Sequence, residues 1–288
     1  MTTTEQLVLA DGRKLAYAIY GVTETSSSAR GMPTVFYFHG YPGSHYEAGT
    51  FDAAAKARGV RVVAASRPGM GGSTYQADRR LLDWPADVLA VADHLKVDRF
   101  AVMGVSGGGP YVLACWHALS KTKRLVGAGL VGGLYPTSLG TAGMLFELRA
   151  LLAVAPWIPG LVGMGMDYAM GKLARDDEHP EKFEEALAQG LKDRPAPDVA
   201  VFGSNEGGAR EALVKSTREA FRDGGRGASS WGFEFQDLDI AEKGTLIMWY
   251  GSADANILLR ISEGEAHLSL VPAKADEILS TLSDMLKR

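Results

Sequence analysis

The segment FAVMGVSGGGP, residues 100–110, places a serine at the end of an apolar run and among glycines. Residues 100–105 predict a strand, and GPYVLACWHALS after the serine predicts a helix. With Gly104 and Gly108 on either side, Ser106 fits the pattern G-x-S-x-G at a sharp strand-to-helix turn. Such a turn exposes the hydroxyl, and a side chain at either glycine would collide with the adjoining strand or helix. Ser106 is therefore a candidate nucleophile. A phosphate-binding loop is disfavoured because the run lacks the Lys-Ser/Thr ending of such loops.

Apolar runs of strand length alternate with helical spacing around this serine. The strand candidates include TVFYFHG from residue 34 and VRVVAAS from residue 60, and DWPADVLAVADHLK from residue 83 has helical spacing. Near-continuous apolar strands are typical of sheets buried on both faces, and the alternation is typical of right-handed β-α-β units. The dipeptide Asp11-Gly12 favours a hairpin, so the first two strands are expected to be antiparallel. The sequence predicts an α/β fold with a doubly wound, mostly parallel sheet.

From residue 135 to about residue 232 this alternation gives way to mostly helical sequence, and strand sequence returns at GTLIMWYGSAD. The interruption predicts a core made of residues 1–134 and 233–288, with residues 135–232 inserted as a helical lid. Because a lid packs apolar side chains over its pocket, Met144 and Trp157 are the predicted substrate-binding residues. Methionines at the spacing seen in this segment more often serve plain packing than line a pocket.

A serine hydroxyl is a weak nucleophile and needs a base that is itself oriented by an acid. After Ser106, the sequence offers Asp254 in GSADAN and His267 in EAHLSL, in the order serine, acid, histidine. His39 precedes the serine and opens HGYPGS, so it is expected to brace the loop that carries an oxyanion donor.

Five segments together resemble the lidded α/β-hydrolase superfamily in its serine hydrolase branch: FHGYPGS, SRPGMGGS, GVSGGGPY, GSAD and EAHLSL, in that order. The resemblance implies that Ser106 is the nucleophile, His267 the general base and Asp254 the orienting acid. It also implies that the backbone N–H groups of Tyr41 and Gly107 form an oxyanion hole. Epoxide hydrolases and haloalkane dehalogenases of this fold carry aspartate at the nucleophile position, so the serine argues against both activities.

The chain departs from this family in one place, the connection between the acid and the histidine. Only twelve residues, 255–266, separate Asp254 from His267, and ILLRIS takes half of them as predicted strand. Parallel neighbours usually need a longer crossover, often a helix. The short connection predicts that the last strand cannot lie beside its predecessor and that at least one triad contact is stretched, above all the one between Asp254 and His267.

The predicted function is hydrolysis of an ester, thioester or lactone of a small apolar molecule. The same triad also serves acyl transfer, carbon-carbon bond hydrolysis or cofactor-free peroxide chemistry, and an incomplete triad would leave a non-catalytic binder of a small ligand. No cofactor and no metal are expected, because no cluster of Cys, His or carboxylate residues suggests a site.

Composition and charge limit which binding partners and which cellular location are expected for the protein. A formal net charge of −4 gives no basic bias, so neither nucleic acid nor an anionic membrane is an expected partner. No uninterrupted apolar run reaches the length of a membrane span, and the single cysteine, Cys115, excludes an intrachain disulfide framework. The charged residues Asp11 and Arg13 precede any long apolar run, so no secretory signal is expected and the predicted location is cytoplasmic.

Overall fold

The computed structural model describes residues 3–23, 31–134, 146–154, 157–205, 208–222, 246–251, 261–262 and 267–287. Its strands are β1 (Glu5–Val8), β2 (Lys14–Gly21), β3 (Thr34–Phe38), β4 (Arg61–Ala65), β5 (Phe100–Val105), β6 (Leu125–Val131), β7 (Leu246–Gly251) and β8 (Ile261–Ser262). Its helices are α1 (Asp52–Arg58), α2 (Trp84–His94), α3 (Gly109–Leu119), α4 (Phe146–Val154), α5 (Pro159–Met166), α6 (Lys172–Ala174), α7 (Pro180–Leu191), α8 (Ala196–Ser204), α9 (Ala209–Arg222) and α10 (Leu270–Lys287). Short 3₁₀ turns cover His45–Phe51, Leu81–Asp83 and Ser106–Gly108, and a π-helical turn covers Asp167–Gly171.

Within the described residues the strands form one sheet in the order β1-β2-β4-β3-β5-β6-β7-β8. Strand β2 is antiparallel to β1 and to β4, and every other described pair is parallel. The prediction of a mostly parallel sheet that begins with an antiparallel pair is confirmed.

The sheet is buried on both faces, which explains why its central strands are apolar throughout. In β5, Phe100 and Val102 belong to the core on one face, whereas Ala101 and Met103 belong to the core on the other. Helices α2 and α3 cover the first face, and α1 and α10 cover the second. Because successive residues of a strand point to opposite faces, a strand between two helical layers needs apolar residues at every position.

The last strand corrects one prediction. Strand β8 lies parallel to β7, with Tyr250 opposite Ile261 and Gly251 opposite Ser262. The expectation that the last strand could not lie beside its predecessor is therefore wrong. Strand β8 has two residues and begins level with the end of β7, so the chain between them need not return along the whole length of β7.

The described part of the chain between β6 and β7 is helical, from α4 to α9. It has a small core of its own, in which Phe183 and Phe221 meet edge to face at 6.3 Å. Helix α9 packs its buried face against the turn His45–Phe51 of the main body. The boundaries of the predicted lid, residues 135 and 232, lie outside the described residues and stay predictions.

The parallel strands deliver several candidate site residues to the same edge of the sheet. His39 follows β3, Arg67 follows β4 and Ser106 follows β5. Ligands in open α/β sheets bind beyond the carboxyl ends of the strands. This edge is therefore where a site is expected.

Candidate active site

Ser106 adopts a backbone conformation that L-residues rarely use. Its φ is 50°, in the left-handed region, and it directly follows β5 as the first residue of the 3₁₀ turn that leads into α3. This conformation costs a non-glycine residue about 1 to 2 kcal/mol. Such strain persists only where the surrounding structure imposes it, and it is concentrated at functional sites. The half-buried serine thus has the geometry that the sequence pattern predicts.

The glycines around the serine are required by close approach of the backbone. A Cβ at Gly104 would lie 2.6 Å from the carbonyl oxygen of Gly108. A Cβ at Gly108 would overlap the carbonyl oxygen of Phe38 at the end of β3. The predicted collisions are therefore present, and they involve both the helix and the neighbouring strand.

Tyr41 and Gly107, the predicted oxyanion donors, lie side by side. A Cβ added at Gly107 would be 3.1 Å from the backbone nitrogen of Tyr41. The carbonyl of Gly40 accepts hydrogen bonds from Arg67 Nη2 at 2.6 Å and from His39 Nδ1 at 2.8 Å. In a trans peptide the N–H points opposite to the C=O. These bonds therefore direct the N–H of Tyr41 away from Arg67.

The peptide unit before Gly107 is held in the same way. The carbonyl of Ser106 accepts a hydrogen bond from the backbone N–H of Leu134 at 2.9 Å. The N–H of Gly107 belongs to the same peptide unit and points the other way. Both candidate oxyanion donors are thus oriented through their partner carbonyls.

Arg67 is a buried cation, 1% exposed, that bonds both the loop after β3 and the turn after β5. Its Nη1 donates to the carbonyl of His39 at 2.5 Å and to that of Gly107 at 3.4 Å. Its guanidinium also lies over the ring of Tyr111, 4.7 Å from the centroid. Burial lowers the pKa of Arg67 to about 10, so it remains charged at neutral pH. Arg67 lies in SRPGMGGS, one of the segments that carry the family resemblance, but the sequence alone does not show which groups it binds.

His39 is fully buried and acts as a brace, as the sequence suggests. Its Nε2 accepts a hydrogen bond from the backbone N–H of Arg67 at 3.2 Å. Nδ1 therefore carries the proton and donates to the carbonyl of Gly40. Burial, and then the charge of Arg67, holds the pKa of His39 well below its usual value, so the ring stays neutral.

Glu47 is a buried carboxyl that sequence reasoning missed. Its two oxygens accept the N–H of Gly40 at 2.9 and 3.0 Å, and Oε1 also accepts the hydroxyl of Tyr37 at 2.6 Å. Burial raises the pKa of Glu47, opposed by these hydrogen bonds and by the charges of Arg67 and His267. The residue lies in the 3₁₀ turn His45–Phe51, and no local pattern marks it. Only its partners in the folded chain reveal it.

His267 opens the turn that precedes α10 and is half-buried. It lines a small cavity of about 50 Å³ together with Glu47, Val105 and side chains from α8 and α9. Val105 immediately precedes Ser106, so the structure brings the predicted base to the same edge of the sheet as the predicted nucleophile. A second, more open depression bounded by Asp93 and Arg124 lies at the other end of β5.

The remaining predicted residues have different outcomes. Asp254 and Met144 lie outside the described residues, so their roles stay predictions. Trp157 is described, and it is 85% exposed in the turn between α4 and α5. Its apolar character suggested a place over the pocket, but the turn puts the indole on the surface. The proposed part of Trp157 in substrate binding stays a prediction.

The described ranges contain no group of three or more His, Cys, Asp or Glu side chains arranged to hold a metal ion. They also contain no helix that is both long and apolar enough to cross a membrane.

Comparison with known proteins agrees with this architecture. No curated protein sequence matches the chain. The fold is similar to that of an esterase from Rhodococcus sp. ECU1013, with 19% identity, a TM-score of 0.59, and coverage of 98% of this chain and 99% of that one. An enol-lactonase from Burkholderia xenovorans LB400 is 17% identical with a TM-score of 0.58, covering 99% and 100%. An epoxide hydrolase from Vigna radiata is 14% identical with a TM-score of 0.58, covering 99% and 98%.

At these identities the solved structures establish likeness of fold alone. The sequence model of the alpha/beta hydrolase family matches residues 35–281, which is most of the chain. That match extends over the strand-to-helix turn with Ser106 and over the turn with His267. The chain belongs to the alpha/beta hydrolase family.

Proposed function

We propose that the protein is a serine hydrolase that cleaves an ester, thioester or lactone of a small apolar molecule. The observation that carries the proposal is the left-handed backbone of Ser106 at the end of β5. A strained serine among glycines at the carboxyl edge of the sheet is the geometry of an exposed nucleophile. Asp254 is proposed as the acid that orients His267.

In the proposed reaction, Ser106 Oγ forms a bond to the substrate carbonyl carbon while His267 takes the hydroxyl proton. The carbonyl oxygen becomes an oxyanion and accepts hydrogen bonds from the N–H groups of Tyr41 and Gly107. One such donor typically lowers the barrier by about 3 to 4 kcal/mol. The leaving group departs with the proton from His267 and leaves an acyl-serine. Water, deprotonated by His267, then releases the acid and restores Ser106.

The buried residues around Gly40 support this reaction by fixing the donors before the charge develops. Arg67 and His39 hold the carbonyl of Gly40, and the backbone N–H of Leu134 holds that of Ser106. Preorganised donors are effective because they need no reorientation when the transition state forms. The positions of these bonds therefore favour acyl chemistry at Ser106.

The residue at the nucleophile position separates this proposal from epoxide hydrolysis. One of the solved structures with this fold is an epoxide hydrolase. By the family resemblance, epoxide hydrolases carry aspartate where this chain has Ser106. A serine alkoxide attacking a carbonyl gives an acyl-enzyme that water can cleave, which favours an ester, thioester or lactone substrate.

The cavity at His267 supports a small apolar substrate. Its described lining is mostly apolar, with Val105, Phe202, Leu213 and Val271, and its volume is about 50 Å³. Apolar walls with a few polar groups are typical of small-molecule sites.

A fluorophosphonate probe tests the proposal directly. We expect the protein to be labelled at Ser106 and to hydrolyse short nitrophenyl esters, and Ser106→Ala to lose both properties while it melts within a few degrees of the parent. Undiminished esterase activity in Ser106→Ala would contradict the assignment. Stabilisation by a ligand without any labelling would identify a non-catalytic binder instead.

A further inference from the structure

Asp198 is a buried carboxylate in the helical segment, and it contacts the backbone next to the proposed base. It lies in α8 and is 2% exposed. Its Oδ1 accepts the backbone N–H of Leu268 at 2.7 Å and that of Ser269 at 3.0 Å. These two residues directly follow His267. A side chain 70 residues earlier in the sequence therefore contacts the turn that carries the base.

The two hydrogen bonds act on the conformation of His267 itself. The N–H of Leu268 belongs to the peptide unit that contains the carbonyl of His267. Holding that N–H fixes the rotation about the Cα–C bond of His267, because the peptide unit is planar. The bond to Ser269 fixes the next peptide unit. After these two residues, α10 begins with Leu270 and Val271, which are buried in the core.

The position is electrostatically suited to a carboxylate. Leu268 and Ser269 precede the first turn of α10, an 18-residue helix whose amino end carries partial positive charge. A buried carboxylate is costly unless hydrogen-bonded, and here two backbone donors converge on one of its oxygens. The arrangement therefore holds a negative charge one residue away from the proposed base.

We propose that Asp198 is a positioning residue for His267, so that docking of α8 on the main body sets the orientation of the general base. The inference rests on the proposed function. Asp198 acts through the backbone of His267 and does not touch the substrate. When α8 leaves its place, the turn loses its fixed conformation and the base loses its alignment with Ser106.

A second buried contact between the helical segment and the main body provides a matched control. Ser216 of α9 is fully buried, accepts the N–H of Ser44 at 2.7 Å, and donates to the carbonyl of Ser44 at 3.2 Å. It joins the same two parts of the chain, but its described hydrogen bonds go to Ser44 and not to the turn that carries His267. Ser216→Ala therefore weakens docking in general, whereas Asp198→Ala removes the support of the base.

The first measurement is the rate of fluorophosphonate labelling and of ester hydrolysis in Asp198→Ala, Asp198→Asn and Ser216→Ala. We expect Asp198→Ala to lower kcat about 100-fold with little change in KM, because a misplacement of about 1 Å costs this much. Asp198→Asn retains an acceptor oxygen and should keep kcat within about threefold of the parent. Ser216→Ala should keep the ratio of kcat to KM and the pH profile of the parent.

The second measurement is the titration of the His267 ring by NMR, with its signal identified by its loss in His267→Gln. Among the described charged groups, Arg210 of α9 and Glu47 of the turn after β3 line the cavity with His267, and Asp198 of α8 binds the backbone next to it. Removing the negative charge in Asp198→Asn should lower the pKa of His267, whereas Ser216→Ala should leave it unchanged.

These outcomes separate the inference from the proposed function. If the parent protein is not labelled at Ser106, the proposed function fails, and the NMR titration still decides the role of Asp198. If labelling is normal but kcat stays within threefold in Asp198→Ala and the pKa of His267 does not move in Asp198→Asn, the inference is overturned while the function stands. If Asp198→Ala does not fold, an unchanged titration in Asp198→Asn overturns the inference alone.

Discussion

Gly40 stands between two buried charges of opposite sign. Glu47 accepts its N–H, and Arg67 donates to its carbonyl. Buried charges are tolerated where each is paired or hydrogen-bonded, and this pair meets that condition through the backbone of one glycine. At the scale of single residues, the candidate oxyanion loop is therefore held by electrostatics as well as by packing.

Replacing Arg67 by lysine should impair catalysis more than binding. The planar guanidinium reaches the carbonyls of His39 and Gly40 at once, and a single ammonium cannot reproduce that fork. We expect kcat for a nitrophenyl ester to fall about tenfold or more, since oxyanion donors that are misaimed lose part of their effect.

The matched control is Arg61→Lys, because Arg61 is a buried arginine at the opposite end of β4 that bonds Thr34. A loss of kcat in Arg61→Lys as large as that in Arg67→Lys would trace the effect to general destabilisation.

Replacing Glu47 by glutamine should change the pH dependence of the reaction. The charge of His267 lowers the pKa of Glu47, so by reciprocity the carboxylate favours the protonated ring of His267. Without it, the acidic limb of the profile of kcat/KM against pH should move to lower pH, because the base then loses its proton more readily.

The control for Glu47→Gln is Glu277→Gln, which changes a carboxylate that accepts the Nε1–H of Trp249. In that variant the acidic limb of the profile of kcat/KM against pH should stay where it is in the parent. A limb that moved to higher pH in Glu47→Gln would contradict the assigned sign.

At the scale of elements, the junction of β3, β5 and α3 leaves no room at Gly108. Gly108→Ala should destabilise the fold by about 3 kcal/mol, since the new methyl overlaps a backbone carbonyl that cannot rotate away. Chemical denaturation measures this change in the free energy of unfolding.

Gly163→Ala is the opposite case. In α5, a Cβ at Gly163 meets no atom within 4 Å, so alanine should stabilise the helix by up to about 1 kcal/mol. If Gly108→Ala and Gly163→Ala changed the free energy of unfolding equally, the nearby carbonyl of Phe38 would not be the reason for a glycine at position 108.

The elements differ in how well the sequence predicts them. Strand β5 is a continuous apolar run that ends at a glycine-flanked serine, so its type and its end are both evident. Strand β8 is paired over two residues only, Ile261 and Ser262. So short a strand has no periodicity, and its place beside β7 depends on where β7 ends rather than on its own side chains. Local sequence therefore predicted the type and the end of β5. For β8 it predicted a strand within ILLRIS but not the position beside β7.

The site shows the same limit for individual residues. Ser106, Gly104 and Gly108 form a local pattern and were predictable. Glu47 and Asp198 were not, because the groups that define them are distant in sequence and meet only after folding. Neither residue type nor spacing shows that a carboxyl will be buried against a backbone N–H in another element.

At the scale of the whole molecule, acid should weaken the fold through His45. This ring is 1% exposed, contacts the hydroxyls of Ser66 and Thr4, and has its pKa lowered to about 4 by burial and by Lys215. Between about pH 6.5 and pH 4, the unfolded chain binds a proton that the folded chain does not. Stability is therefore lost as pH falls through this range, by up to about 3 kcal/mol from this residue.

His45→Gln should make the pH dependence of the free energy of unfolding shallower between pH 6.5 and pH 4. Urea denaturation at several pH values measures it. His179→Gln, at an exposed histidine, should reproduce the slope of the parent. An unchanged slope in His45→Gln would show that this ring already carries a proton in the folded protein.

The contact of Ser216 with both backbone groups of Ser44 has a consequence for engineering. Exchange of this helical segment for one from another family member is an attractive route to new selectivity. Here the helical segment cannot be exchanged independently, because Ser216 and Asp198 accept hydrogen bonds from backbone N–H groups of the main body. A chimera would have to keep a hydroxyl side chain at the position of Ser216 and a carboxylate at the position of Asp198 in α8. A transplant that omits them would leave main-chain amides of the recipient buried without partners, and its failure would then say nothing about the substrates of the donor.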